Sequence, residues 1–96
     1  VSISMKLKDN REEILRIAKE NGIKNLKLFG SVARSEDGEE SDIDLLVSFE
    51  EGKSLFDLIR FKQEMEEIMG KNVDVLTENA IHHSIKEKIL NEAIPL

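Results

Sequence analysis

Two aspartates one residue apart, Asp42 and Asp44, open the apolar run that ends at Val47. In an extended strand successive side chains point to opposite faces, so both carboxylates project to one side while Ile43 and Leu45 project to the other. Two anions so close repel each other unless a divalent cation neutralises them, and hard oxygen ligands of this kind suit Mg2+ or Mn2+. A third acid, Asp74, alternates with Val73 and Val75 in the later run NVDVLT. Bridging two metal ions calls for about three carboxylates, and if the two strands are neighbours all three acids can converge. Asp74, touching a single ion, would then be placed to take the proton from an attacking hydroxyl. Such a set suits phosphoryl or nucleotidyl transfer, in which most of the catalysis is positioning and electrostatic stabilisation.

A polyphosphate substrate also needs a cradle, and Gly30 to Arg34 offers its parts. Gly30 lets the backbone approach closely, Ser31 brings a hydroxyl and an amide, and Arg34 brings a fixed fork of donors. Ser31 to Arg34 is expected to begin a short helix with Ser31 as its cap, whose exposed first-turn amides would bind phosphate.

Gly30-Ser31, ten residues, then Asp42-x-Asp44, with Ala33-Arg34 and Ser41 in the spacer, resembles the GSx10DxD signature of the DNA polymerase β-like nucleotidyltransferase superfamily. In length, and over essentially the whole chain, the sequence is similar to the minimal nucleotidyltransferases (MNT). The resemblance implies a small nucleotidyltransferase fold, with Asp42, Asp44 and Asp74 as ligands of two Mg2+ ions and as catalytic residues. It implies that Gly30 and Ser31, with Arg34, bind the nucleoside triphosphate. It further implies transfer of AMP from ATP to a hydroxyl, a tyrosine, on a partner HEPN-domain toxin, with the chain acting as antitoxin. The larger relatives carry extra helical domains for the acceptor, so here a partner is expected to present it. Ser35 stands where many relatives have Gly. The alternative is a catalytically weak or inactive binding module that neutralises a HEPN partner by complex formation.

The elements that must position these residues follow from pattern and punctuation. A helix is expected from about Asp9 to Asn21, capped by Asp9 or Asn10, with Glu12 and Glu13 in its first turn and Gly22 ending it. Leu7, Ile14, Leu15, Ile17 and Ala18 supply its apolar side. Ile23 to Phe29 alternates as a half-buried strand, with Leu26 and Leu28 on one face. Ser35 to Glu40 is a solvated acidic loop, and Ser41 to Phe49 is the central strand. A second helix is capped by Ser54, with Asp57 three residues on as a weaker capping box, and runs to Met69 before Gly70. Its apolar stripe is Leu55, Leu58, Ile59, Met65, Ile68 and Met69, leaving Glu64, Glu66 and Glu67 to water. Asn72 to Thr77 is the third strand. A last helix spans about Ile81 to Ala93, with Ile85, Ile89 and Leu90 inward and Pro95 as its stop. The fold class is α/β (α+β): a short mixed β-sheet of about three strands packed with helices.

Ninety-six residues, 40% of them hydrophobic, give one domain, 1–96, with a single modest core. No apolar run approaches a membrane span and no signal-peptide layout is seen, so a soluble, cytoplasmic protein is expected. The absence of cysteine removes thiolate metal sites and thiol catalysis. A net charge of −6 argues against general binding to nucleic acid, and four Phe with no Trp or Tyr leave few platforms for base stacking. The acids from Glu36 to Glu40 are read as a solvated charge run. His82 and His83, adjacent in a helix and pointing about 100° apart, are read as structural or surface residues. Phe56, Phe61, Met65 and Met69 are read as core filling.

Overall fold

A computed structural model describes residues 3–30 and 42–96. Helices α1 (Ile3–Asp9) and α2 (Arg11–Glu20) lead into strand β1 (Ile23–Phe29). Strand β2 (Ile43–Phe49), helix α3 (Leu55–Met69) and strand β3 (Val73–Thr77) follow. A 3-10 turn (Glu78–Ala80), helix α4 (His83–Glu92) and the two-residue strand β4 (Ile94–Pro95) complete the chain. The predicted helix from Ser31 to Arg34 and the acidic loop Ser35 to Glu40 lie outside the described residues.

The strands form one sheet in the order β3-β2-β1-β4. β1 pairs antiparallel with both β2 and β4, whereas β2 and β3 run parallel, as a strand–helix–strand unit through α3 requires. β2 is central, and Ile43, Leu45 and Val47 are wholly buried on the face that meets the helices. Phe61, Met65 and Met69 of α3 and Ile14 and Ile17 of α2 close the same core. Each such side chain removed from water contributes roughly 1.5–3 kcal/mol.

The sheet has four strands where three were expected. Ile94 pairs with Leu28 and Pro95 with Lys27, and the Leu96 amide donates to the Leu26 carbonyl at 3.1 Å. Proline is tolerated there because β4 is an edge strand, whose missing N–H faces away from its partner. Pro95 therefore does not merely stop the last helix; it sits in the strand that returns to the sheet.

The helix expected from about Asp9 to Asn21 is α2 (Arg11–Glu20), and a separate helix that was not expected, α1, precedes it across Asn10. The Asn10 side chain donates to the Lys6 carbonyl at 2.8 Å, ending α1 rather than capping α2. Leu7 is buried as expected, but from α1. Asn21, at the end of α2, is the one buried polar side chain among the described residues. Its Nδ2 donates to the Ile17 carbonyl at 2.8 Å and to Glu64 Oε1 at 3.2 Å. Glu64 is thus not merely a solvent-facing charge, nor is Glu66, whose Oε2 accepts the Val73 amide at 3.1 Å and ties α3 to the start of β3.

The apolar stripe expected along α3 holds only in part. Phe61, Met65 and Met69 are buried and Leu58 and Ile68 pack against the core, but Leu55, Phe56 and Ile59 in the first turns are exposed, Phe56 by 78%. Leu55 instead borders an open groove beside Val75 and Leu76 of β3. In α4 no residue is fully buried, and Ile85, expected inward, is 49% exposed. His82 has the structural role read for it: as the N-cap of α4 its Nδ1 accepts the Ser84 amide at 3.2 Å.

The ends of α3 follow the expected chemistry. The Ser54 amide donates to Asp57 Oδ2 at 3.0 Å, and Gly70, at φ 66°, closes the helix in the left-handed region with its amide on the Glu66 carbonyl at 2.8 Å. The backbone bond from Ser54, helped by Lys53, the Ser54 hydroxyl and Arg60 and opposed by desolvation, holds the Asp57 carboxyl below the usual carboxylate range. Because the folded state lowers this pKa, the linked stability is complete above the unfolded value near 3.8 and is lost as pH falls through the lower folded value. Asp57→Ala is therefore expected to lower the melting temperature at pH 7 and to make much less difference at pH 2; an equal loss at both would rule out the charged cap. Among the described residues no helix is long and apolar enough to cross a membrane.

Candidate active site

Asp44 and Asp74 occupy matched positions on neighbouring strands. In the parallel ladder Ile43 pairs with Val73, Asp44 with Asp74 and Leu45 with Val75. Since Ile43, Leu45 and Val73 point into the core, the alternation of the strands sends Asp44 and Asp74 together to the opposite face. Neighbouring strands are about 4.8 Å apart, so the two carboxylates are side by side. The neighbourhood of strands on which the three-acid expectation depended is thus present. Asp42 lies just before β2 and is exposed, as is Asp74, while Asp44 is half-buried.

The turn after β1 is brought to the same place by the antiparallel register. Phe29 pairs with Asp44, so Gly30 is alongside the Asp44 side chain. Gly30 has φ 76°, and a Cβ built on it would overlap Asp44 Oδ2 and lie 3.1 Å from Cγ and 3.3 Å from Cβ of the same residue. Among the described atoms the close approach of Gly30 is to the Asp44 carboxylate, a different partner from the polyphosphate expected of it. Nothing in the sequence gave that partner away, because the register of β1 on β2 must be known first. Ser31 and Arg34 lie outside the described residues.

Among the described residues no three His, Cys, Asp or Glu side chains stand close enough to hold an ion together. The structure thus brings Asp44 and Asp74 into register and puts Asp42 at the entrance to β2, without drawing the three carboxylates into a closed ligand shell. Mutual repulsion opposes such closure until a cation neutralises it. The donor set itself, three hard carboxylates with one of them seated against a glycine, fits Mg2+ or Mn2+.

A concavity lies elsewhere on the sheet. An open groove of about 670 Å3 runs between Lys24, Lys53, Leu55, Leu58, Leu76 and Glu78. It lies at the carboxyl ends of β2 and β3, with Ser48 in its wall and none of the three aspartates. Asp44 is four residues from Ser48, about 13 Å along the strand. Asp44 and Asp74 lie near the starts of β2 and β3, away from the groove, so the groove does not contain the candidate site.

Comparison with known proteins agrees with this geometry. A family model described as nucleotidyltransferase domain matches residues 11–96. A candidate protein adenylyltransferase of Methanocaldococcus jannaschii is 52% identical over 90 residues, which cover 94% of this chain and 97% of that protein. A solved structure of a candidate minimal nucleotidyltransferase superposes with a TM-score of 0.89 at 41% identity, covering 100% of this chain and 97% of the other. A chain from the complex of a tri-AMPylated Shewanella oneidensis HEPN toxin with an MNT antitoxin shares the fold, with a TM-score of 0.68 at 16% identity over 92% of this chain and 69% of that one. The chain belongs to the nucleotidyltransferase domain family, in its minimal form.

Proposed function

We propose that this protein transfers AMP from ATP to a tyrosine hydroxyl of a HEPN-domain partner in the cytoplasm, and acts as the antitoxin of that partner. The observation that carries the reading is the pairing of Asp44 with Asp74 on adjacent parallel strands, with Asp42 two residues upstream on the same approach. Two Mg2+ ions held by Asp42, Asp44 and Asp74 would neutralise the triphosphate and the charge that develops on it. Asp74, exposed at the sheet edge, accepts the proton of the tyrosine hydroxyl as its oxygen bonds to the α phosphorus. Pyrophosphate leaves, and Ser31 and Arg34 hold its oxygens. The exposure of Asp42 and Asp74 leaves room for an acceptor on a folded protein.

The relatives support this choice of acceptor. The Methanocaldococcus jannaschii protein is named for transfer of an adenylyl group to protein, and the Shewanella oneidensis complex holds a HEPN toxin that carries AMP. Incubation with a HEPN partner, ATP and Mg2+ is expected to raise the partner's intact mass by one or more AMP groups, mapped by fragmentation to tyrosine. An unmodified partner that is nevertheless neutralised in a stable complex would replace this reading with that of a binding module.

A further inference from the structure

We infer that Gly30 is a positioning residue for the Asp44 carboxylate: it leaves open the volume into which that side chain is seated beside Asp74. The metal-ligand role of Asp44 rests on the proposed function, whereas the seat rests on the contact alone. At φ 76° the backbone of residue 30 turns the direction of its missing Cβ onto Asp44, and a methyl group there would overlap Oδ2. Rotating the carboxylate away would relieve the overlap with Oδ2 but leave Asp44 Cβ 3.3 Å from the new atom, a contact that still requires a shift of a few tenths of an ångström. Asp44 Cβ is fixed by a central strand whose neighbours Ile43 and Leu45 are fully buried, so the backbone has little freedom to retreat. A side chain at position 30 must therefore displace the carboxylate from the line it shares with Asp74. A glycine needed only for approach of the triphosphate would have no bearing on Asp44 when nucleotide is absent.

A double-mutant cycle separates the seat from backbone strain, which is the same whichever residue occupies position 44. In metal-free protein Gly30→Ala is expected to lower the melting temperature by about 10 °C in the native background and by less than half of that in Asp44→Ala. With Mn2+ alone and no nucleotide, Gly30→Ala is expected to weaken binding, read by electron paramagnetic resonance, about tenfold. Equal losses of melting temperature in the two backgrounds, or an unchanged Mn2+ affinity, would overturn the inference. Should Gly30→Ala fail to fold, recovery of folding in the Gly30→Ala, Asp44→Ala double variant upholds the seat, and failure of both overturns it. If the native protein itself binds no Mn2+, the proposed function is what falls, and the melting-temperature cycle still decides the seat.

Discussion

Asp44→Asn is expected to slow AMP transfer by about a thousandfold or more while leaving the metal-free protein folded, with a melting temperature no lower than that of the native chain. The amide matches the carboxylate in shape and so fits the space beside Gly30, but it no longer carries the charge that a divalent cation needs. Half-buried and in register with Asp74, the native carboxylate faces a like charge on the next strand, an unfavourable neighbour that the substitution removes. Loss of transfer without loss of stability distinguishes a residue kept for chemistry from one kept for the fold. Steady-state transfer assays paired with thermal denaturation measure both. A variant that melts well below the native protein would mean that Asp44 stabilises the sheet, and its loss of activity would then say little about chemistry.

The opposite pattern is expected from the core. Phe61→Ala should cost about 3–5 kcal/mol, because the ring is fully buried between α3 and the sheet and its removal leaves a cavity in addition to the lost transfer energy. Small domains are stable by only about 5–15 kcal/mol, so urea denaturation should find this variant close to unfolding. Phe56→Ala, five residues earlier in the same helix, should change stability by no more than about 0.5 kcal/mol, since that ring is 78% exposed. A comparable loss at both positions would contradict the placement of α3.

The contrast between these two phenylalanines marks how far the sequence could be read. Both were read as core filling, and only the way α3 sits on the sheet, with Phe61 buried and Phe56 exposed, decides between them. Strands β1, β2 and β3 were legible because period-two alternation is a local signal, and the capping box and Gly70 fixed α3 for the same reason. β4 was not legible: two residues after a helix carry no periodicity, and its pairing with Leu28 is set by distant contacts. The role of Asn10 was hidden because Asn serves equally to begin or to end a helix, and only the bond to the Lys6 carbonyl shows which. At the site, the spacing of Gly30, Asp42 and Asp44 pointed to the chemistry, and the VDV alternation picked out Asp74. The register that joins Asp44 to Asp74, and the contact of Gly30 with Asp44, depend on long-range pairing that no local pattern encodes.

The most direct test of the account uses ATP labelled at either the α or the γ phosphorus, with Mg2+ and a HEPN partner, on the native protein and on Asp44→Asn. Label from the α position is expected to pass to the partner, label from the γ position to leave as pyrophosphate, and Asp44→Asn to pass neither. Transfer of the γ label, or α-label transfer that survives Asp44→Asn, would contradict the claim that these aspartates move AMP to a protein acceptor.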